Sequence, residues 1–304
     1  MLALNDNEQS WFVGIRSTFY RISSIFGQGI LLTIAGILET KTENIPLAWQ
    51  LTLLLSSILF GIITIWHIFF LPKAEISRPT QTNAKAILKD FAKTFVSFFR
   101  KKGIVIALCF MLIYRLPEAF LIKIINPFFV SAMENGGLAL STWQVGVAYG
   151  TIGIVLLTIG GILGGWYASK KGLRQSLWIM ALAITLPDIV YLLLSIFQTN
   201  NIYIVTAAIA IEQFGYGFGF TAYMLYLIYF SQGEFKTAHY ALCTAFMALG
   251  MMLPGYVAGY LQEAVGYTAF FSIVMACCLL TLLVTALIYN NIDKNFGKDE
   301  RTKE

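Results

Sequence analysis

Arg115, Glu118, Lys123, Asp188 and Glu212 are ionisable side chains set inside long apolar runs, where an apolar chain tolerates them least. The stretch MLIYRLPEAFLIKIINPFF (111–129) carries three of them, together with Asn126, and is punctuated by Pro117 and Pro127. In an apolar medium a guanidinium or ammonium group is suited to binding a carboxylate, and a buried carboxylate can take up and release a proton. Each charge would cost roughly 2.5–3.5 kcal/mol or more if it faced lipid, so these groups must face one another or water. Arg115, Glu118, Ile122 and Asn126 recur at helical spacing and are expected on one stripe, with Lys123 at its edge, lining a cavity. Arg115 would lie about 18 Å into its helix at ~1.5 Å per residue, near the middle of a ~30 Å hydrocarbon core. Asp188, after Pro187, and Glu212 reach similar depth in theirs. Two uses remain open at this point: a structural ion pair of Arg115 with Glu118 or Glu212, or a substrate and proton site. The two are compatible if the pair breaks during a transport cycle. Pro117 and Pro127 loosen one helix, and Gly215, Gly217 and Gly219 directly after Glu212 are expected to interrupt another, a pattern that points to a binding region.

The elements that must position these residues are membrane helices. The chain is 58% hydrophobic and 12% charged, with a mean hydropathy of +0.72, whereas a soluble domain carries about 25% charge. Eight apolar segments, about 11–39, 47–71, 103–133, 143–168, 175–197, 202–230, 237–262 and 267–290, are long enough to span hydrocarbon. All are expected to be helices, since backbone in lipid must satisfy its own hydrogen bonds. One set of connections and the tail hold sixteen Lys and Arg against only Lys41 on the other side, which predicts that both termini are cytoplasmic. Residues 1–10 show no removable signal peptide. Cys109, Cys243, Cys277 and Cys278 fall in apolar runs and read as small hydrophobes. No disulfide, metal or cofactor is expected, and no nucleic acid as partner. In the first helix Arg16 can snorkel to the cytoplasmic surface, while the deeper Arg21 is a candidate cavity residue. Tyr216, with Tyr20, Tyr114, Tyr223, Trp143 and Trp166, is a candidate for stacking on a sugar ring, against the commoner use of such rings in packing and anchoring.

The connection 72–102 contains AKAILKDFAKTFVSFFRKK, in which Leu88, Phe91, Phe95 and Phe98 share one face and Lys85, Lys89 and Lys93 another. It reads either as an amphipathic helix on the inner leaflet or as a solvated linker helix. This divides the chain into 1–71, the linker 72–102, a six-helix unit 103–290 and a tail 291–304. With Ala35-Gly36 laid on Ala258-Gly259, helices one and two match helices seven and eight in pattern, so they resemble the last two of a six-helix repeat whose second copy is whole.

Parallel six-helix repeats resemble the plan of the major facilitator superfamily. GGILGGWYASKKGLRQ (160–175) resembles its loop signature, with Gly165, Lys170, Gly172 and Arg174 in place and Ser169 where an acid stands. Gly160, Gly161, Gly164 and Gly165 form overlapping GxxxG pairs suited to close helix contact, and Gly250, Gly255 and Gly259 around Pro254 read the same way. YRLPEAF with NPFF, TWQVGVAYGTIG (142–153) and the run from Glu212 through HYALCTAFMALGMMLPGYVAGYLQEAVGYTAFF (239–271) resemble the AmpG-type muropeptide permeases and their acetyl-CoA transporter relatives. The resemblance implies an all-α membrane bundle of eight helices, matching helices five to twelve of that family, with helices one to four outside this sequence. It implies a proton-coupled importer of cell-wall turnover fragments in the bacterial inner membrane. Arg115, Lys123, Asn126, Tyr216 and Arg21 would bind the solute, and Glu118, Glu212 and Asp188 would exchange protons. Gly161, Gly165, Lys170, Gly172, Arg174, Gly255 and Gly259 would serve packing and gating. The rival expectation is a fragment unable to transport without a complementary N-terminal half or self-association, or a transporter of another anionic solute. An enzyme is not expected, because His67 and His239 lack partners at usable spacing.

Overall fold

The computed structural model describes residues 41–71, 84–140 and 142–298, and positions 15, 19, 20, 23, 34 and 38. Arg16, Arg21, Ala35 and Gly36 lie outside the described residues, as do the side chains of Lys85, Leu88, Lys89, Phe91 and Trp143. Two compact units are distinguished, one formed by Arg16–Thr80 and the other mainly by Gln81–Glu304. Among the described residues there are helices and no strand.

In the first unit, α1 (Ile45–Phe70) starts where the Asn44 side chain accepts the Leu47 N–H at 3.1 Å and Pro46 sets the first turn. Its hydroxyls stay within the helix, Thr52 donating to the Ala48 carbonyl and Ser56 to that of Thr52, which pairs them in an apolar setting.

The second unit opens with α2 (Ala84–Phe99). Its end docks on the bundle: Phe98 is fully buried against Phe230, His239 and Phe246, and the Ser97 hydroxyl lies 2.9 Å from His239 Nε2. Lys101 follows, donating to the carbonyls of Phe230 and Gln232, where a cation complements the C-terminal end of the helix it caps. Burial holds its ammonium below the usual lysine range. Then come α3 (Ile104–Ile113) and α4 (Leu116–Val130), one span broken at Tyr114 and Arg115. The break is chemical: Pro117 has no N–H to return to the previous turn and its ring crowds the carbonyl four residues back. The Tyr114 carbonyl accepts instead from Thr281 at 3.2 Å, and the Tyr114 phenol donates to the Gly219 carbonyl.

Next, α5 (Thr142–Val145) continues through a wide π-helical segment, Gly146–Gly153, into α6 (Ile154–Lys171). Gly172, at φ +79°, turns the chain into α7 (Leu173–Thr185), which is interrupted at Leu186–Asp188 around Pro187 before α8 (Ile189–Phe197). A single uninterrupted helix, α9 (Ile202–Ser231), follows. Finally α10 (Lys236–Tyr289) breaks at Gly266, whose φ of 77° and ψ of 170° make two spans, 236–265 and 267–289. Seven of the eight expected segments are thus described as apolar helices of membrane-crossing length, and the first is helical at its few described positions.

The glycines of α9 do not interrupt it, contrary to the expectation from sequence. A Cβ on Gly217 would lie 2.1 Å from the Leu157 carbonyl oxygen, and one on Gly160 would lie 2.2 Å from that of Phe214, so α6 and α9 touch backbone to backbone. Gly215 and Gly219 serve the other side, each within 2.4 Å of an α7 carbonyl in the same sense. Two apolar clusters result. One holds Phe110, Tyr114, Leu157, Ile184, Tyr216 and Val284, and the other Leu121, Ala148, Tyr191, Ile209 and Val274. On four spans, α3–α4, α7–α8, α9 and the second limb of α10, the change from one cluster to the other falls beside polar residues: Arg115 and Glu118, Asp188, Glu212 and Gln213, Cys278 and Thr281.

Gly217→Leu should force α6 and α9 apart and cost at least the roughly 1–3 kcal/mol typical of overpacking. In thermal unfolding of the detergent-solubilised chain this appears as a fall in Tm of several degrees or loss of a monodisperse species. Gly61→Ala, where a Cβ meets nothing within 4 Å, should leave Tm unchanged or raise it.

Candidate functional site

The half-depth band is built from two interruptions and one straight helix. Arg115 occupies the non-helical joint between α3 and α4, which swings its guanidinium across to α9. There Nη2 donates to the Tyr216 phenol, and the guanidinium carbon lies 4.6 Å over the Phe220 ring and 5.5 Å over that of Tyr216. Arg115 is 9% exposed, and its Nε, fully enclosed, has no hydrogen-bond partner among the described residues. Glu118, 8% exposed in the first turn of α4, is the acid whose charge acts on Arg115. The space between them, bounded also by Tyr114, Pro117, Ile184 and Thr185, is closed, with no room for a water molecule.

Asp188 is delivered by the interruption between α7 and α8 and takes a long contact of 3.7 Å from the Cys278 thiol, which lies 3.6 Å from the Thr185 carbonyl. Glu212 is buried on α9. Its Oε2 accepts from the Tyr191 phenol at 2.7 Å and from the Gln213 amide at 2.9 Å. Gln213 also bonds the Tyr149 phenol of the π-helical segment. Asp188 lies within electrostatic reach of both Glu212 and Glu118. The fold therefore brings Arg115, Glu118, Asp188, Glu212 and Tyr216 into one buried polar band, in which Arg115 bonds Tyr216, Glu212 bonds Tyr191 and Gln213, and Asp188 takes the long thiol contact. Its cation keeps one enclosed donor, Nε, without a partner among the described residues.

The network does not include Lys123 and Asn126. The joint at Arg115 takes its guanidinium off the expected stripe, and along α4 the face that bears Glu118 is buried there but exposed at Ile122 and Asn126. Lys123 and Asn126 are exposed on α4 and line two other clefts. One, of about 630 Å³, is bounded by Asn126, Ser131 and Gly146, and the other, of about 530 Å³, by Lys123, Tyr256, Gly259 and Glu263. Tyr114 and Tyr223 are buried and stacked at 5.4 Å, so they pack.

The basic loop is tied to its own bundle. Lys170 sits 4.7 Å over the Trp166 ring, Ser169 donates to the Trp166 carbonyl, and Arg174 lies 4.9 Å over Tyr289 and donates to Asn290 Oδ1 at 3.3 Å. Gly161 and Gly165 face into the bundle, Gly161 with a Cβ position 3.8 Å from the Gly217 carbonyl oxygen. Gly255 packs under the Lys123 side chain, with Cε 3.2 Å from the position of a Cβ, whereas Gly259 packs on nothing within 4 Å.

Sequence reasoning missed Tyr191, Tyr149, Gln213, Phe220 and Cys278. Gln213 was detectable as a polar residue beside a membrane glutamate. The tyrosines look like interfacial anchors until helix packing turns them inward. All four cysteines are free, and among the described residues no group of three or more His, Cys, Asp and Glu could hold a metal ion.

Comparison with known proteins adds a family. The Escherichia coli K12 protein named anhydromuropeptide permease is 25% identical over 283 residues, covering 90% of this chain and 55% of its own length. A Rickettsia bellii protein carrying the name AmpG 1 is 26% identical over 222 residues, 72% of this chain and 52% of its own. A Rickettsia felis protein carrying the name AmpG 4 is 26% identical over 281 residues, 90% of this chain and 64% of its own. The chain thus spans about half to two thirds of the length of these relatives. The model of the Major Facilitator Superfamily matches residues 4–234, and with its apolar helices of membrane-crossing length the chain is a multi-pass membrane protein that belongs to that superfamily.

Proposed function

We propose that this chain forms the solute- and proton-handling part of a secondary active transporter that imports a peptidoglycan turnover fragment, or a similar amino-sugar peptide, by proton symport. The observation that carries the reading is Arg115: a cation buried at half-depth, at a helix break, with one donor left unmet. A carboxylate of a peptide solute would complete its hydrogen bonds, with Tyr216 fixing its orientation and Phe220 covering its face. Binding there would compete with Glu118 for the guanidinium, so the arrival of the anion frees a carboxylate to hold a proton. Glu212 and Asp188, linked through the same network, are the further proton carriers. As the bundle rocks to open on the other side, the solute leaves, Glu118 re-engages Arg115, and the proton is released.

The names of the relatives, permease and transporter, support this over an enzyme. The asymmetry of sixteen basic residues against one supports cytoplasmic termini in the bacterial inner membrane. In the same reading, residues 103–290 are one complete six-helix repeat, 72–102 the linker, 291–304 a cytoplasmic tail and 1–71 the last two helices of the preceding repeat. Gly161, Gly165, Gly172, Lys170 and Arg174 act as a rigid joint at the cytoplasmic end.

Arg115→Met should reduce uptake of labelled anhydro-muropeptide roughly 100-fold, as expected for about 3 kcal/mol lost from a buried charged contact, with the protein still inserted. Uptake unchanged in that variant would remove Arg115 from the site. Glu212→Gln should abolish accumulation driven by a pH gradient while leaving gradient-free exchange of labelled for unlabelled solute intact. Loss of both activities, or of neither, would contradict its role as the coupling group.

A further inference from the structure

The cleft beside Lys123 has a construction that the polar network does not explain. It lies at the end of the bundle away from Lys101, Lys170 and Arg174. Lys123 is about 30 Å of helix beyond Gly103 at ~1.5 Å per residue, and Gln262 and Glu263 come just before the break at Gly266. The floor is made of glycine. Gly255 lets the Lys123 stem lie across the helix, and Gly259, one turn on, leaves an open notch in which a Cβ would meet nothing within 4 Å. Tyr256 and Tyr260 stand beside that notch, 76% and 68% exposed, with ring centroids 6.2 Å apart. The cleft is open on one side and has a volume of about 530 Å³.

Two exposed phenol rings, tilted 55° to one another beside a floor without side chains, offer an aromatic face on which a weakly polar ring can lie. An ammonium, a carboxylate and an amide in the same cleft ask for a ligand rich in hydroxyl and acyl groups. An acyl chain of a lipid would leave those three groups without partners. A pyranose meets both demands: its C–H faces stack on aromatic rings, and its rim hydroxyls reach Gln262, Glu263 and Lys123. We infer that this cleft is a saccharide subsite, taking the sugar ring of a solute whose carboxylate is destined for Arg115. The inference rests on the proposed function for the solute class and adds Tyr256, Tyr260 and the Gly259 notch as determinants of its recognition.

The test measures binding to the full chain in lipid nanodiscs by calorimetry, using an anhydro-muropeptide and the corresponding sugar-free peptide. Gly259→Val fills the notch without touching a neighbour, so its Tm should match that of the parent. It should weaken muropeptide binding at least tenfold and leave the sugar-free peptide unaffected. Tyr256→Ala combined with Tyr260→Ala should do the same. If the parent binds both ligands and the variants bind them equally well, the subsite is wrong while the proposed function stands. If the parent binds neither, both fall. Equal weakening of the two ligands would assign the tyrosines a structural role, and loss of a co-purified phospholipid with sugar binding intact would make the cleft a lipid seat. Either result overturns the inference.

Discussion

Charge buried at the middle of a membrane bundle is tolerated only when every charged group has a partner, and this requirement organises the protein. Arg115, Glu118, Asp188 and Glu212 would each be expensive against lipid, and the fold draws them into one band between two apolar clusters. Partners come from three stretches of chain: Tyr216, Phe220 and Gln213 on α9, Tyr191 on α8, and Cys278 on the second limb of α10. No one helix could supply them. The band therefore holds the helices together as much as their apolar faces do.

Interruptions deliver the polar groups, and glycines hold the frame steady around them. Proline at 117 and 187 opens the backbone where Arg115 and Asp188 must turn inward, and the Thr281 hydroxyl closes the carbonyl at Tyr114. Between these flexible joints α9 stays straight because its glycines let α6 and α7 approach to backbone contact on both sides. A rigid helix carrying Glu212 and Tyr216, faced by two broken ones carrying Arg115 and Asp188, is a geometry in which small rotations at the joints alter which acid the guanidinium meets. Under the proposed function, that would be the physical content of coupling: one cation, several acids, and hinges between them.

The membrane spans were legible because apolar length is a one-dimensional property of sequence, and the depth of Arg115, Asp188 and Glu212 could be counted along them. Which side of a helix each faces was less legible. Lys123 and Asn126 were expected beside Arg115 on a straight helix, and the joint set by Pro117 separates them. Gly215, Gly217 and Gly219 looked like weak points, and the difference between a weak helix and a close contact lies in the neighbouring carbonyls of Leu157, Ala183 and Met180, which sequence does not display. The linker's spacing marks an apolar face but names no partner for it, and Phe98 finds its partners in Phe230 and Phe246.

The central claim is that Arg115 and Glu118 share one buried electrostatic network. A double-mutant cycle in thermal unfolding, with Arg115→Met, Glu118→Gln and the two combined, tests it most directly. Each single variant should lose roughly 3–5 kcal/mol, because it strands a buried charge, and the double variant should be as stable as either single or more so. Losses that simply add, or singles as stable as the parent, would show that the two charges do not depend on each other.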